Sequence, residues 1–282
     1  MADLPDRVRL VIFDLDGVVY RGPEPIPDAA ELIDFLHRSA VLVRFATNNS
    51  MATRRTYVDR LAEMGIRATA EEIVTSTSAT IEHLRRHAPE VRTVLAIGAD
   101  GMEAELRDAG LDVTTAGRAA AVDPGGPLER GHDAVIVGLD PFVDYARLSA
   151  AMAAVAGGAR LIATNADARY PTPAGFLPGA GAIVAALANA TGVVPEVIGK
   201  PAPAMFIATL EAAGVAPSEC VVVGDNPDAD VAGAHRAGCS AILVLTGVAD
   251  RGTVALLDGE RVPEAVASGP DEVGVLLASR LS

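Results

Sequence analysis

Val8-Arg9-Leu10-Val11-Ile12-Phe13-Asp14-Leu15-Asp16-Gly17-Val18 decides the fold. Val8 to Phe13 is a short apolar run rich in β-branched residues and reads as a buried strand. It runs into two carboxylates two residues apart. On an extended chain such positions face the same side, so Asp14 and Asp16 can address one reacting centre. Gly17 then permits a tight turn or a close approach of backbone.

Similar runs recur along the chain: Val41 to Ala46, Val91 to Ile97, Ala134 to Val137, Arg160 to Ala163, Val193 to Ile198, Cys220 to Val223 and Ala241 to Leu245. Amphipathic helical patterns separate most of them, which predicts an α/β protein with a mostly parallel sheet. Ligands of such sheets bind beyond the carboxyl ends of the strands. The residues at those ends are Asp14 and Asp16, Thr47 with Asn48 and Asn49, Asn165 and Asp167, Lys200, and Asp225. Length and strand count predict a second lobe in the middle of the chain. Pro124-Gly125-Gly126-Pro127 reads as a loop within it, and Pro178-Gly179-Ala180-Gly181 as a helix entry near the return to the first lobe.

Of 23 basic side chains 22 are arginine, and the sole lysine is Lys200. An ammonium is a compact point charge on a flexible stem, suited to a crowded pocket that holds a phosphate beside a carboxylate. The net charge of -14 argues against nonspecific binding to nucleic acid or to an anionic membrane. It leaves room for a small anion where a metal ion, a lysine or backbone N–H groups invert the field locally. No stretch approaches a membrane span, and Met1 to Arg7 lacks the pattern of a secretory leader; the expected location is cytoplasmic.

Paired acids such as Asp14 and Asp16 can divide labour, one staying ionised as nucleophile and the other protonated as acid. The run Val223-Gly224-Asp225-Asn226-Pro227-Asp228-Ala229-Asp230 adds carboxylates at another strand end. Carboxylates from two strand ends are hard oxygen ligands for Mg2+, while Asp, Asn and Pro equally favour a capped turn. Thr47-Asn48-Asn49-Ser50 can cap a helix, and a helix N-terminus is itself an anion site.

Taken together and in order, Asp14-Leu15-Asp16-Gly17, Thr47-Asn48, Lys200-Pro201, and Gly224-Asp225 with Asp230 resemble the four motifs of the haloacid dehalogenase superfamily of phosphohydrolases. The run Gly17 to Gly22, the Thr47-Asn48-Asn49-Ser50 form and Pro178 to Gly181 are similar to the subgroup of the NagD and 4-nitrophenylphosphatase enzymes. The resemblance implies a Rossmann-like parallel-sheet core from residues 1–82 and 183–282, with an inserted α/β cap from 83–182. It implies Asp14 as nucleophile, Asp16 as general acid and then base, and Lys200 as the neutralising cation. Thr47, Asn48 and Asn49 would bind the phosphate. Mg2+ would be held by Asp14, Asp16 through its carbonyl, and Asp225, with Asp230 as a ligand or orienting group. In the cap loop Asn165, Asp167 and Arg169 would read the leaving group.

The implied substrate is a small phosphorylated metabolite such as glycerol phosphate, phosphoglycolate, pyridoxal phosphate, a sugar phosphate, a nucleoside monophosphate or 4-nitrophenyl phosphate. A cap-mediated homodimer is also compatible with the resemblance. The alternatives are a phosphotransferase or mutase using the same aspartyl-phosphate, and a phosphate-binding module without turnover. Two positions depart from the family pattern: Ala229 where Thr is common, and Ala166 where the cap loop carries Pro.

Other signals are discounted. Gly179-Ala180-Gly181 lacks the strand and the third glycine of a dinucleotide fingerprint. His83 and His87 at i and i+4 lack the glutamate of a zinc protease and are expected on a solvated helix face. Cys220 and Cys239 are expected to be small buried residues.

Overall fold

The computed structural model describes residues 4–116, 131–172 and 175–281. The loop expected at Pro124 to Pro127 lies outside them. The chain forms two compact units, one from Met1–Thr47, Arg54–Val74 and Lys200–Ser282, the other from Asn48–Thr53 and Thr75–Gly199. The expected boundaries after residues 82 and 182 fall inside the helices Ser76–His87 and Ala180–Thr191. Both helices lie wholly within the second unit.

The first unit opens with β1 (Leu10–Asp14), a small hairpin of β2 (Tyr20–Arg21) and β3 (Glu24–Pro25), then β4 (Leu42–Thr47) and β5 (Ile73–Thr75). The second carries β6 (Thr93–Ile97), β7 (Asp112–Thr115), β8 (Ala134–Val137), β9 (Arg160–Ala163), the hairpin β10 (Arg169–Thr172) and β11 (Gly175–Pro178), and β12 (Glu196–Val197). The chain then returns to the first unit with β13 (Cys220–Gly224), β14 (Ser240–Val244) and β15 (Ala265–Ala267).

The core sheet runs β15-β14-β13-β1-β4-β5. β1 pairs in parallel with both neighbours, Leu10 against Cys220 on one side and Leu42 on the other. Leu10 to Phe13 and the whole of β13 are buried, as strands covered on both faces must be. The helix Ala29–Arg38 contributes Ala29, Leu32, Ile33 and Leu36 at helical spacing. Each large aliphatic side chain so buried stabilises the unit by roughly 1.5–3 kcal/mol. From β1 the chain builds outward to β4 and β5, then resumes on the opposite side of β1 at β13. That reversal sets a topological switch point between β1 and β13, so Asp14 and Asp225 leave adjacent strand ends there.

The second unit is built on the sheet β12-β9-β8-β6-β7. Helices Tyr145–Ala156 and Ala180–Thr191 pack their apolar sides on it, with Ala150, Ala151 and Ala154 in one core with Ile183, Val184 and Leu187. Ala180–Thr191 begins where Pro178 to Gly181 predicts a helix entry. Val193 to Ile198 is a strand only at Glu196–Val197, and Val193 and Val194 are exposed. His83 does not lie on a solvated face either: it is half-buried, with Nε2 2.6 Å from Glu196 Oε1. Cys220 and Cys239 are free thiols and buried. Among the described residues no helix is long and apolar enough to cross a membrane.

Candidate active site

At the switch point of the first unit, Lys200 Nζ donates to Asp14 Oδ1 at 2.5 Å, to Asp230 Oδ1 at 2.7 Å and to the carbonyl of Ala46 at 3.2 Å. The three acceptors match the three protons of an ammonium. Asp14 is the last residue of β1 and Ala46 its register partner on β4, so the parallel ladder aims both acceptors at one point. Thr47, next along β4, is nearly buried.

Asp225 follows β13, and its Oδ2 accepts from the backbone N–H of Val248 at 2.6 Å. Asp230 sits in the turn Pro227–Val231, where its Oδ2 accepts from the N–H of Asn226 at 3.1 Å. Asn226 caps that turn by accepting from the N–H groups of Asp228 and Ala229, so the turn holds with Ala at 229. Backbone crowds Asp225 from two sides. A Cβ on Gly17, whose φ is +89°, would lie 2.4 Å from Asp225 Oδ2, and one on Gly247 would lie 1.8 Å from it.

Burial pushes the Asp14 carboxyl up to about 8 against the opposing pull of Lys200, with Asp230 and Asp225 adding to the rise. Burial likewise pushes Asp225 up to about 6, and Asp230 reinforces it. For Lys200 burial disfavours the charge, yet Asp14 and Asp230 outweigh it and hold the ammonium above its ordinary range. One buried cation thus faces three carboxylates, and burial first, with the neighbouring carboxylates second, shifts Asp14 and Asp225 upward.

Oxygens of Asp14, Asp225 and Asp230 lie within 4.8 Å of one another. An all-oxygen donor set with excess negative charge fits a hard divalent cation. Both oxygens of Asp230 already receive donors from Lys200 and Asn226, so Asp14 and Asp225 are the carboxylates better placed to face it. Asp16 is outside this cluster, and its side chain is exposed.

The second unit gathers a different set. Asn48 Nδ2 donates to both carboxylate oxygens of Asp167, at 3.1 Å each. Asn165 Nδ2 donates to the carbonyl of Asn48 at 2.7 Å, and that carbonyl also accepts from Ser76 Oγ at 2.8 Å. Asn165 Oδ1 accepts from the N–H of Asp167 at 3.1 Å. Asn49 Oδ1 accepts from the N–H of Met51 at 2.8 Å. Arg169, exposed at the start of β10, lies with its guanidinium 5.6 Å from the Phe176 ring centre, also exposed.

Some participants are not evident from the motifs. The Ala46 carbonyl is a backbone group and leaves no side-chain signal. Thr246, Gly247 and Val248 do leave one, because they follow β14 at the edge where ligands of parallel sheets are met. Thr246 Oγ1 donates to the carbonyl of Gly17 at 2.5 Å and ties that segment to the turn after β1.

A family profile of haloacid dehalogenase-like hydrolases matches residues 11–112, and a HAD-hydrolase-like profile matches residues 197–269. An acid sugar phosphatase of Staphylococcus epidermidis is 38% identical over 237 residues, 84% of this chain and 86% of the relative. One from Staphylococcus aureus is 36% identical over 242 residues, 86% of this chain and 88% of the relative. The solved p-nitrophenyl phosphatase from Archaeoglobus fulgidus superposes with a TM-score of 0.84 at 30% identity, covering 95% of this chain and 99% of that one. The glycerol phosphate phosphatase from Mycobacterium tuberculosis, solved in complex with magnesium, gives 0.82 at 30%, covering 96% and 78%. The parallel core with carboxylates at its switch point is thus that of the haloacid dehalogenase-like hydrolases, to which this chain belongs. Within them it is a phosphatase, of the kind formed by the NagD and 4-nitrophenylphosphatase enzymes.

Proposed function

We propose that the chain is a Mg2+-dependent phosphomonoesterase of small phosphorylated metabolites that works through an aspartyl-phosphate. The observation that carries this reading is the Lys200 ammonium bonded to both Asp14 and Asp230 at the end of β1. An ammonium against the nucleophile offsets the repulsion between a carboxylate and an incoming phosphate.

A carboxylate oxygen of Asp14 attacks phosphorus in line and the ester P–O bond breaks, while Asp16 gives its proton to the departing alcohol oxygen. Asp16, exposed to solvent, then takes a proton from water, whose oxygen attacks the phosphorus and frees the Asp14 carboxylate and inorganic phosphate. Thr47 and the N–H groups around Asn48 and Asn49 bind phosphoryl oxygens. Asp14, Asp225 and the carbonyl of Asp16 would hold Mg2+, which would supply positive charge against the phosphoryl oxygens. Asp230 holds Lys200 at the nucleophile, a role its two bonded oxygens favour over direct ligation. The acid sugar phosphatase and glycerol phosphate phosphatase relatives support sugar and polyol phosphates as first candidates. The second unit acts as a substrate-discriminating cap in this reading. The reduced, buried Cys220 and Cys239 agree with a cytoplasmic setting.

The test is phosphate release from a panel of phosphomonoesters, with and without Mg2+, by the parent and by Asp14→Asn. Mg2+-dependent turnover that disappears in Asp14→Asn is the expected result. Turnover surviving in that variant sinks the covalent route. Phosphorylation of the parent without phosphate release moves weight to a transferase or a binding module.

A further inference from the structure

Asn48 and Gly199 are each one peptide bond from a residue of the proposed chemistry, Thr47 and Lys200 respectively. Both belong to the second unit and meet the same short loop there. Asn48 donates to both oxygens of Asp167, and its carbonyl accepts from Asn165. Gly199 donates its N–H to the carbonyl of Thr164 at 2.8 Å. A Cβ on Gly199 would lie 2.5 Å from that carbonyl oxygen and 2.6 Å from Asn48 Oδ1, so the two junctions touch through a spot where only glycine fits. The loop is itself fixed: Gly181 donates to the carbonyl of Asp167 at 2.9 Å and Gly179 to that of Ala168 at 3.0 Å.

We propose that Asn165 and Asp167 are positioning residues that set the backbone of Thr47 and of Lys200, and do not read the leaving group. This rests on the phosphatase reading above and deepens it. Groups that recognise a substrate keep polar atoms turned toward it, whereas here the amide of Asn165 bonds the Asn48 carbonyl and the Asp167 N–H, and the Asp167 carboxylate takes the Asn48 amide on both oxygens. Their effect reaches the reaction through the peptide bonds Thr47–Asn48 and Gly199–Lys200, so it is common to every substrate. A displacement of a fraction of an ångström at the phosphate-binding turn or the ammonium misaligns in-line attack whatever the alcohol.

The test is steady-state kinetics of the full chain with Mg2+ on 4-nitrophenyl phosphate, glycerol phosphate and a hexose phosphate. The variants are Asp167→Ala and the exchange pair Asn48→Asp with Asp167→Asn, which keeps an amide facing a carboxylate with the polarity reversed. Asp167→Ala should lower kcat about 10- to 100-fold on all three esters by a common factor, with KM little changed. The exchange pair should recover most of that loss. A factor that differs tenfold or more between esters would instead assign Asp167 to substrate reading and overturn the proposal. An unchanged kcat overturns it as well, even with a lowered melting temperature, since the contacts would then serve stability alone. Should Asp167→Ala fail to fold, Asp167→Asn replaces it under the same two criteria. A parent inactive on all three esters overturns the phosphatase reading, a result distinct from any pattern among the variants.

Discussion

Lys200 Nζ donates to Asp230 Oδ1 at 2.7 Å, with 4% of the lysine side chain and 2% of the aspartate exposed. A buried ion pair of this kind is not a reliable gain in stability over an apolar pair. Its value here is positional, since the same ammonium contacts Asp14.

Asp230→Asn should therefore damage both folding and turnover. Loss of the charged hydrogen bond costs about 1.5 kcal/mol of stability, since Lys200 keeps Asp14 as its counter-ion, and kcat should fall as the ammonium is no longer steadied on Asp14. Thermal melting and phosphate release on the same preparation check both. A variant with parental kcat would contradict the positional role.

Lys200→Arg keeps the charge and replaces a point donor by a planar fork too large for a site with three converging acceptors. We expect kcat to fall by about a hundredfold or more. A milder loss would mean that charge alone, and not its placement, matters at this position.

Gly247→Ala would drive a methyl into Asp225, since its Cβ would stand 1.8 Å from Oδ2. The Mg2+ concentration for half-maximal activity should rise roughly tenfold, measured by titrating the cation at fixed substrate. Gly131→Ala serves as the control, because a Cβ there meets nothing within 4 Å. Equal Mg2+ requirements in the two variants would dissociate Asp225 from metal binding.

Asp133 Oδ2 accepts from the N–H groups of Arg92 and Thr93 at 2.8 Å each and from Thr93 Oγ1 at 2.9 Å, joining the starts of β6 and β8. The Thr93 N–H first, and then that of Arg92, hold its carboxyl below the ordinary value of 3.8. A depressed folded-state value means the stabilisation is present above pH 3.8 and is lost as pH falls through the folded value. Asp133→Ala should thus lower the melting temperature by a few degrees at neutral pH, for about 1 kcal/mol after solvent screening. The gap to the parent should close below the ordinary aspartate range. A pH-independent gap would assign the loss to packing.

Much of the core was legible because buried parallel strands announce themselves as uninterrupted aliphatic runs, as Leu10 to Phe13 and Cys220 to Val223 do. Edge and short strands do not. β5 and β15 are three residues each, and β7 reads Asp-Val-Thr-Thr with no fully buried position, so nothing in them stands out from loop. Val193 to Ile198 misleads in the opposite direction: Val193 and Val194 look like core, yet they are exposed beside a two-residue strand. His83 similarly looks solvated until Glu196, 113 residues away, arrives beside it.

By itself the sequence determined the buried core strands and their alternation with helices, the carboxylates and threonine at strand ends, and the family to which they belong. These follow from local periodicity and from side-chain chemistry, which a chain carries whatever its conformation. Tertiary structure alone decided that Lys200 reaches Asp14 across 186 residues, that Asp230 faces this ammonium, and that Asn165 and Asp167 bond Asn48. Each of these depends on which strand ends the parallel crossovers bring side by side. Burial also belongs to that level. A carboxyl that ionises readily on a loop has its pKa raised at the end of β1, because only the packed sheet removes the water that would otherwise stabilise its charge.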